Sequence, residues 1–309
     1  MSAERGGPSD SRTVGREGQT FAGESLLIRY ANFVRLPHTV FALPFALLGV
    51  VAASWKTPVT LRTLLLVVVA FTAARFVAMG FNRIADRELD ARNPRTRTRE
   101  LPAGKLSLPQ AWLAVLVATI LFVSSAWALN PLCFELSPVA LAVITLYSYA
   151  KRFTWWSHLW LGIGDAIAGP AGFLAVTGQW SSPRWVLWAL AAAVTFWVSG
   201  FDIFYALQDE RFDRAERLHS AVVRFGPARG IVLAKLLHGL ALVALIAFGI
   251  GAGLGVAYDA GVAVGAGLIA WEHRLVKADD LSRLDAAFFT ANGIVSLVVF
   301  GGALVDRVL

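Results

Sequence analysis

LRTLLLVVVAFTAARFVAMGFNRIADRELD, residues 61–90, runs from an apolar stretch straight into a row of acids, and its reading decides the fold. Between Leu61 and Phe81 the only charged residues are Arg62 and Arg75. About 20 largely apolar residues are what a helix needs to cross the hydrocarbon of a bilayer. Past that run, Asn82, Asp86 and Asp90 recur every four residues. They therefore lie along one side of a helix, with about 40° of drift per step. The stretch reads as a membrane-spanning helix that carries oxygen ligands at its end.

The rest of the chain repeats the first half of that pattern. Of 309 residues, 57% are hydrophobic and 16% charged, with a mean hydropathy of +0.61. A soluble domain carries about 25% charged residues and about 45–50% apolar ones, so the deviation points to lipid. Apolar spans are expected near 28–53, 61–82, 109–129, 132–150, 156–177, 184–206, 227–250, 252–271 and 284–306. The fold class is thus an all-α integral membrane protein of about nine transmembrane helices. Residues 25–309 form one domain, preceded by a polar tail over 1–24 that lacks the apolar run of a signal peptide.

The net charge of +7 sits in short breaks between spans, which argues against nucleic acid as a partner. Arg83, Arg87, Arg92, Arg95, Arg97, Arg99 and Lys105 follow the second span. Lys151 and Arg152 follow the fourth, Arg211 to Arg229 the sixth, and Arg274, Lys277 and Arg283 the eighth. The opposite breaks hold little beyond Lys56, Arg62 and Arg184. Positive residues mark the cytoplasmic side, so the N-terminus and the acidic row are expected there, in a bacterial-type inner membrane.

A second acidic row, FDIFYALQDERFD at 201–213, closes the sixth span on that same side. Asp202, Asp209 and Asp213 are spaced seven and four residues apart and share one face. Magnesium prefers carboxylate and phosphate oxygens and commonly binds through one or two carboxylates plus substrate phosphates. Two opposed carboxylate clusters could hold magnesium against a diphosphate, with nearby Arg and Lys neutralising its remaining oxygens. As a C–O bond to diphosphate breaks, such a metal stabilises the departing charge. Deeper in the second span, Arg75 precedes Asn82 by seven residues, about 10 Å further in on the same face. A cation there must face a protein cavity and a partner, which is either an anionic substrate group or an acid on another helix. Asp202 lies similarly deep, one turn before Tyr205.

These residues resemble the UbiA superfamily of intramembrane prenyltransferases. Asn82, Asp86 and Asp90 match its N-x-x-x-D-x-x-x-D motif, and YALQDERFD, with Asp209 and Asp213, matches the second acidic motif. Arg95, Thr96, Arg99, Leu101, Pro102 and Gly104 match the R-T-x-x-R-x-L-P-x-G that follows the first motif. YAKRFT, with Lys151 and Arg152, is similar to the basic segment after the fourth helix. The likeness runs from about residue 28 to the end. It departs at Leu218, where many relatives have glycine. RLPHTVFALPFAL (35–47) and DARNPRT (90–96) resemble 4-hydroxybenzoate polyprenyltransferases, including the branch serving menaquinone made by the futalosine route.

The resemblance implies nine helices around a central cavity, two Mg2+ ions, an isoprenyl diphosphate donor and an aromatic acid acceptor. Carried onto this chain, it implies metal binding by Asn82, Asp86, Asp90, Asp209 and Asp213. Lys151, Arg152 and Arg83 would serve the diphosphate, and Arg75 or Arg35 the acceptor carboxylate. Asp202 would act on the acceptor hydroxyl, with Tyr205 beside it. The expected reaction is prenyl transfer to 4-hydroxybenzoate or 1,4-dihydroxy-6-naphthoate in quinone biosynthesis.

Other readings compete. A transporter would also place Arg75 and Asp202 along a path, but the acids here stand at helix ends. A CDP-alcohol phosphotransferase needs glycine-punctuated acidic motifs that the chain lacks. His38, His158 and His219 read as polar helix-end contacts, because no pair has the i, i+4 spacing of a helical zinc site. The single Cys133 excludes an internal disulfide and reads as a small apolar residue. Gly249/Gly253, Gly251/Gly255 and Gly261/Gly265 read as close helix-packing pairs.

Overall fold

The computed structural model describes residues 21–23, 25–36, 39–276 and 292–309, and among them all regular structure is helical. Residues 1–20 of the expected tail, His38, Lys277, Arg283 and the start of the last expected span lie outside the described residues.

In chain order the helices are α1 (Leu26–Phe33), α2 (Thr39–Ser54), α3 (Leu61–Ala85), α4 (Arg87–Arg92) and α5 (Leu108–Leu129). Then come α6 (Pro131–Leu146), extended by a 3-10 turn over Tyr147–Arg152, α7 (Ser157–Ala166) and α8 (Ala168–Thr177). The chain continues through α9 (Trp185–Ala215), α10 (Ala221–Phe225), α11 (Pro227–Ala252), α12 (Val256–Leu275) and α13 (Asn292–Val308). Polar side chains start several of them as hydrogen-bond acceptors for otherwise unpaired N–H groups. Thr60 caps α3, Ser107 and Gln110 form a reciprocal capping box on α5, and Asn130 caps α6 ahead of Pro131.

Among the described residues six helices are long and apolar enough to cross a membrane: α3, α5, α6 with its 3-10 turn, α7 with α8, α9, and α11. The nine spans expected are therefore matched by six on length and composition. Of the remaining three, α2 is apolar but has only 16 residues. In α12, Asp259, Glu272 and Arg274 interrupt the apolar run, and the described part of α13 has 17 residues. Large apolar side chains point outward along the spans, among them Leu113, Leu116, Val117 and Ile120 on α5 and Leu236, Leu240 and Val243 on α11. Hydrocarbon rather than water suits such a surface.

Helix contacts are made through small residues, because lipid tails offer no hydrophobic drive for helices to associate. Where α2 crosses α8, a side chain at Gly172 would collide with the Ala46 carbonyl, and one at Gly49 with the Gly169 carbonyl. Gly162 of α7 rests likewise on the Thr195 carbonyl of α9. The glycines at 249–265 serve packing as well: Gly249 accommodates the Tyr258 ring, Gly251 the Trp185 ring, and Gly261 the backbone at Val298.

Two helices depart from a straight reading, and both departures shape the interior. Asp86 is at once the C-cap of α3 and the N-cap of α4, so the acidic row spans two segments rather than one helix. The i→i−4 bonds Asp86 N–H to Asn82 O (2.9 Å) and Asp90 N–H to Asp86 O (2.8 Å) persist across the joint and keep the row aligned. The fifth expected span breaks at Ile167, between α7 and α8. Pro170 has no N–H to give the Ala166 carbonyl, and its ring crowds that oxygen, which explains the break.

Candidate active site

A polar cavity of about 270 Å³ opens between α3, α4, the 3-10 turn, α7 and α9. All twelve residues singled out from the sequence line it: Arg35, Arg75, Asn82, Arg83, Asp86, Asp90, Lys151, Arg152, Asp202, Tyr205, Asp209 and Asp213. α9 brings the second acidic row to it by being long. Its 31 residues extend about 46 Å, more than a hydrocarbon core of about 30 Å requires.

Asp86, Asp90, Asp209 and Asp213 are each matched to a cation. Arg152 Nη2 donates to Asp86 Oδ1 at 2.9 Å, and Arg99 Nη1 to Asp90 Oδ1 at 2.6 Å. Asp209 accepts both Nε (2.9 Å) and Nη2 of Arg95, and Asn93 Nδ2 at 3.1 Å. Lys151 Nζ lies 3.5 Å from Asp213 Oδ2. Asn82 Nδ2 donates to Asp86 Oδ2 at 3.0 Å and so steadies that carboxylate from its own helix. Burial raises the Asp86 carboxyl above the ordinary carboxylate value, although Arg152 opposes the rise. Asp90 Oδ2 is buried with no hydrogen-bond partner.

Deeper in the cavity, Arg75 Nη1 donates to Asp165 Oδ1 of α7 at 2.8 Å. Of the two partners left open for Arg75, the structure supplies the acid on another helix, and Arg75 Nε remains buried without a hydrogen bond. Arg75 and Asp165 also line a second, apolar cavity of about 610 Å³, walled mainly by α3, α5, α6, α7, α8 and α9. The ion pair therefore stands where the polar and apolar spaces meet. Asp202 accepts a hydrogen bond from His158 Nδ1 at 2.7 Å.

Sequence reasoning passed over several of these groups. Asp165, an acid inside LGIGDAIAGP, could have been found as an intramembrane charge in need of a partner. Arg95, Arg99 and Asn93 were legible as motif positions but not as partners of the acids. His158, read as a helix-end contact, sits beside Asp202 in the cavity wall. The altered position Leu218 lines the cavity, and its N–H closes on the Asp213 carbonyl at 2.7 Å. The left-handed backbone there falls one residue earlier, on Arg217 (φ 56°).

The arrangement suits phosphate chemistry at one end and a long apolar group at the other. The model of the UbiA prenyltransferase family matches residues 42–294. A 4-hydroxybenzoate octaprenyltransferase from Nitrosospira multiformis is 32% identical over 285 residues, covering 91% of this chain and 96% of that protein. Among solved structures, a UbiA homologue from Aeropyrum pernix K1, in its apo form, has a TM-score of 0.79 at 32% identity. It covers 87% of this chain and 98% of its own. A UbiA homologue from Archaeoglobus fulgidus, bound to GPP and Mg2+, shares the fold at TM-score 0.66 and 19% identity, covering 91% and 100%. Matched over most of its length by both sequence and fold, and carrying both acidic rows on one cavity, the chain belongs to the UbiA prenyltransferase family.

Proposed function

We propose that this protein transfers a polyprenyl group from an isoprenyl diphosphate to the ring of an aromatic acid, 4-hydroxybenzoate foremost and 1,4-dihydroxy-6-naphthoate as the alternative. The observation that carries the reading is the junction of two spaces. Two carboxylate rows and their cations line the polar cavity, and the Arg75–Asp165 pair separates it from a larger apolar one. The 4-hydroxybenzoate octaprenyltransferase of Nitrosospira multiformis supports the acceptor, and the GPP and Mg2+ of the Archaeoglobus homologue support the donor and the metal.

The donor set fits magnesium. Among the described residues no three His, Cys, Asp or Glu side chains close into a cage. Magnesium does not ask for one, since it takes one or two carboxylates and completes its shell with phosphate oxygens and water. Buried Asp90 Oδ2 accepts no hydrogen bond and meets Arg83 Nη1 only at 4.0 Å, so it is an oxygen that a closer cation would satisfy. Asn82, Asp86, Asp90, Asp209 and Asp213 would hold two ions, which supply Lewis-acid stabilisation of the departing diphosphate.

The protein's own groups do the rest. Lys151, Arg152 and Arg83 place positive charge around the diphosphate oxygens. The C1–O bond of the donor breaks heterolytically, and its electron pair leaves with the diphosphate. The ring carbon beside the acceptor hydroxyl bonds to C1, then passes its proton to water or to the released diphosphate to restore aromaticity. Asp202 accepts the hydroxyl's hydrogen bond, with Tyr205 one turn away, and so raises electron density at that carbon. Arg75, with Arg35 at the same cavity, receives the acceptor's carboxylate, while the prenyl chain occupies the apolar space.

Membranes containing the protein, an isoprenyl diphosphate, magnesium and one acceptor at a time provide the test. A prenylated product that disappears with EDTA and returns with added magnesium is expected with one of the two aromatic acids. Absence of product from both, across several donor chain lengths and with folded protein, would overturn the acceptor assignment. Failure to release diphosphate with any acceptor would overturn prenyl transfer at this cavity.

A further inference from the structure

We infer that His158 is a positioning residue for prenyl transfer: its Nδ1–H holds the Asp202 carboxylate in the orientation that meets the acceptor's hydroxyl. The inference rests on the reading of Asp202 given above and adds a residue to it. The geometry starts from the other ring nitrogen. His158 Nε2 lies 3.2 Å from the backbone nitrogen of Ala221, the first residue of α10. A backbone N–H can only donate, so Nε2 must offer its lone pair. The proton of the neutral ring is thereby confined to Nδ1, the nitrogen 2.7 Å from Asp202 Oδ2. One main-chain group thus sets the tautomer, and the tautomer sets the direction of the bond to Asp202.

The ring has little freedom to do anything else. His158 is 2% exposed, and Ser199 Oγ of α9 donates to its carbonyl at 3.0 Å. Below it Gly162 lets α7 close onto the α9 backbone at Thr195. Asp202 itself is 24% exposed at the side chain, turned to the cavity on one side and held by the imidazole on the other. The same imidazole that orients Asp202 also ties down α10, which follows the acidic end of α9. Two roles are therefore available to His158, one through each nitrogen, and they can be separated.

In a side-chain amide, the nitrogen of asparagine falls where His Nδ1 was, whereas glutamine reaches the place of Nε2. His158→Asn therefore keeps a donor toward Asp202 and gives up Ala221, and His158→Gln does the reverse. If His158 works through Asp202, His158→Asn stays within a few-fold of wild-type kcat. His158→Gln should lose about ten- to a hundredfold in kcat, the range for a hydrogen bond to a charged group, with the KM for isoprenyl diphosphate unchanged. In an Asp202→Ala background the two variants should be indistinguishable, because the acceptor they act through is gone. Equal activity of the two in the wild-type background, or a better glutamine variant, would overturn the inference in favour of a purely structural tie to α10. Full turnover by Asp202→Asn alone would instead sink the reading of Asp202. Should the substitutions fail to fold, 15N chemical shifts of the wild-type imidazoles give an independent answer. A protonated Nδ1 and bare Nε2 are expected at His158, and a protonated Nε2 would refute the assignment.

Discussion

Replacing Asp165 with leucine would strip the Arg75 guanidinium of its 2.8 Å partner in the interior of the helical bundle. The two side chains are only 15% and 17% exposed, so water can restore little of what is lost. Breaking a buried pair by removing one member costs about 3 to 5 kcal/mol, most of it the penalty on the charge left behind. The residual exposure puts the expected loss near the lower end, about 3 kcal/mol. Replacing both partners by leucine removes the stranded charge and should recover most of that loss. The double variant nevertheless lacks the cation assigned to the acceptor's carboxylate, so its acceptor KM should stay raised at least about tenfold. Equilibrium unfolding in mixed micelles reads the first quantity and steady-state kinetics the second. A stable Asp165→Leu single variant would refute the ion-pair reasoning. A double variant with wild-type acceptor KM would refute the role of Arg75.

Three further outcomes are expected. Asp209→Ala should lower turnover by about a hundred- to a thousandfold in the fraction that folds, since it removes a carboxylate assigned to hold magnesium against the departing diphosphate, and it should also cost stability by stranding the buried Arg95; full activity would rule out the metal assignment. Gly172→Leu should destabilise the bundle by about 1–3 kcal/mol, because its side chain has only the Ala46 carbonyl to enter; unfolding midpoints would register this, and an unchanged midpoint would contradict the α2–α8 crossing. Burial raises the Asp86 carboxyl, so the folded protein binds a proton there more tightly than the unfolded chain does. Its contribution to stability therefore falls as pH rises from the ordinary carboxylate value through the raised one. That slope should be reduced in Asp86→Asn, and an unchanged slope would assign it to other groups.

The membrane class and both acidic rows were legible because they depend on spacing along one helix, which the 3.6-residue period converts directly into a shared face. Asn82, Asp86 and Asp90 could be placed this way, as could Asp209 and Asp213. The partners of those acids could not. Arg95 reaches Asp209 across 114 positions of chain, and Arg75 reaches Asp165 across 90. A periodicity says which way a side chain points, never what stands opposite. The break at Asp86 was hidden for a related reason, since no proline or glycine marks it. The break at Ile167 was marked by Pro170, yet a span of 21 residues looks continuous by hydropathy. His158 was missed because its role depends on the backbone of a distant helix, α10, which leaves no trace in the residues around it.

The pairing of acids with cations has an electrical consequence. Seven Arg and Lys side chains and six Asp side chains line the polar cavity, so it approaches electroneutrality before any substrate arrives. A solitary divalent ion entering it meets carboxylates most of which already pair with Arg or Lys. A solitary diphosphate meets guanidinium groups already committed to carboxylates. Only when both enter together can the acids turn to metal and the bases to phosphate without stranding a charge. On the proposed function, such a vestibule favours magnesium and diphosphate entering as a matched couple over either one alone.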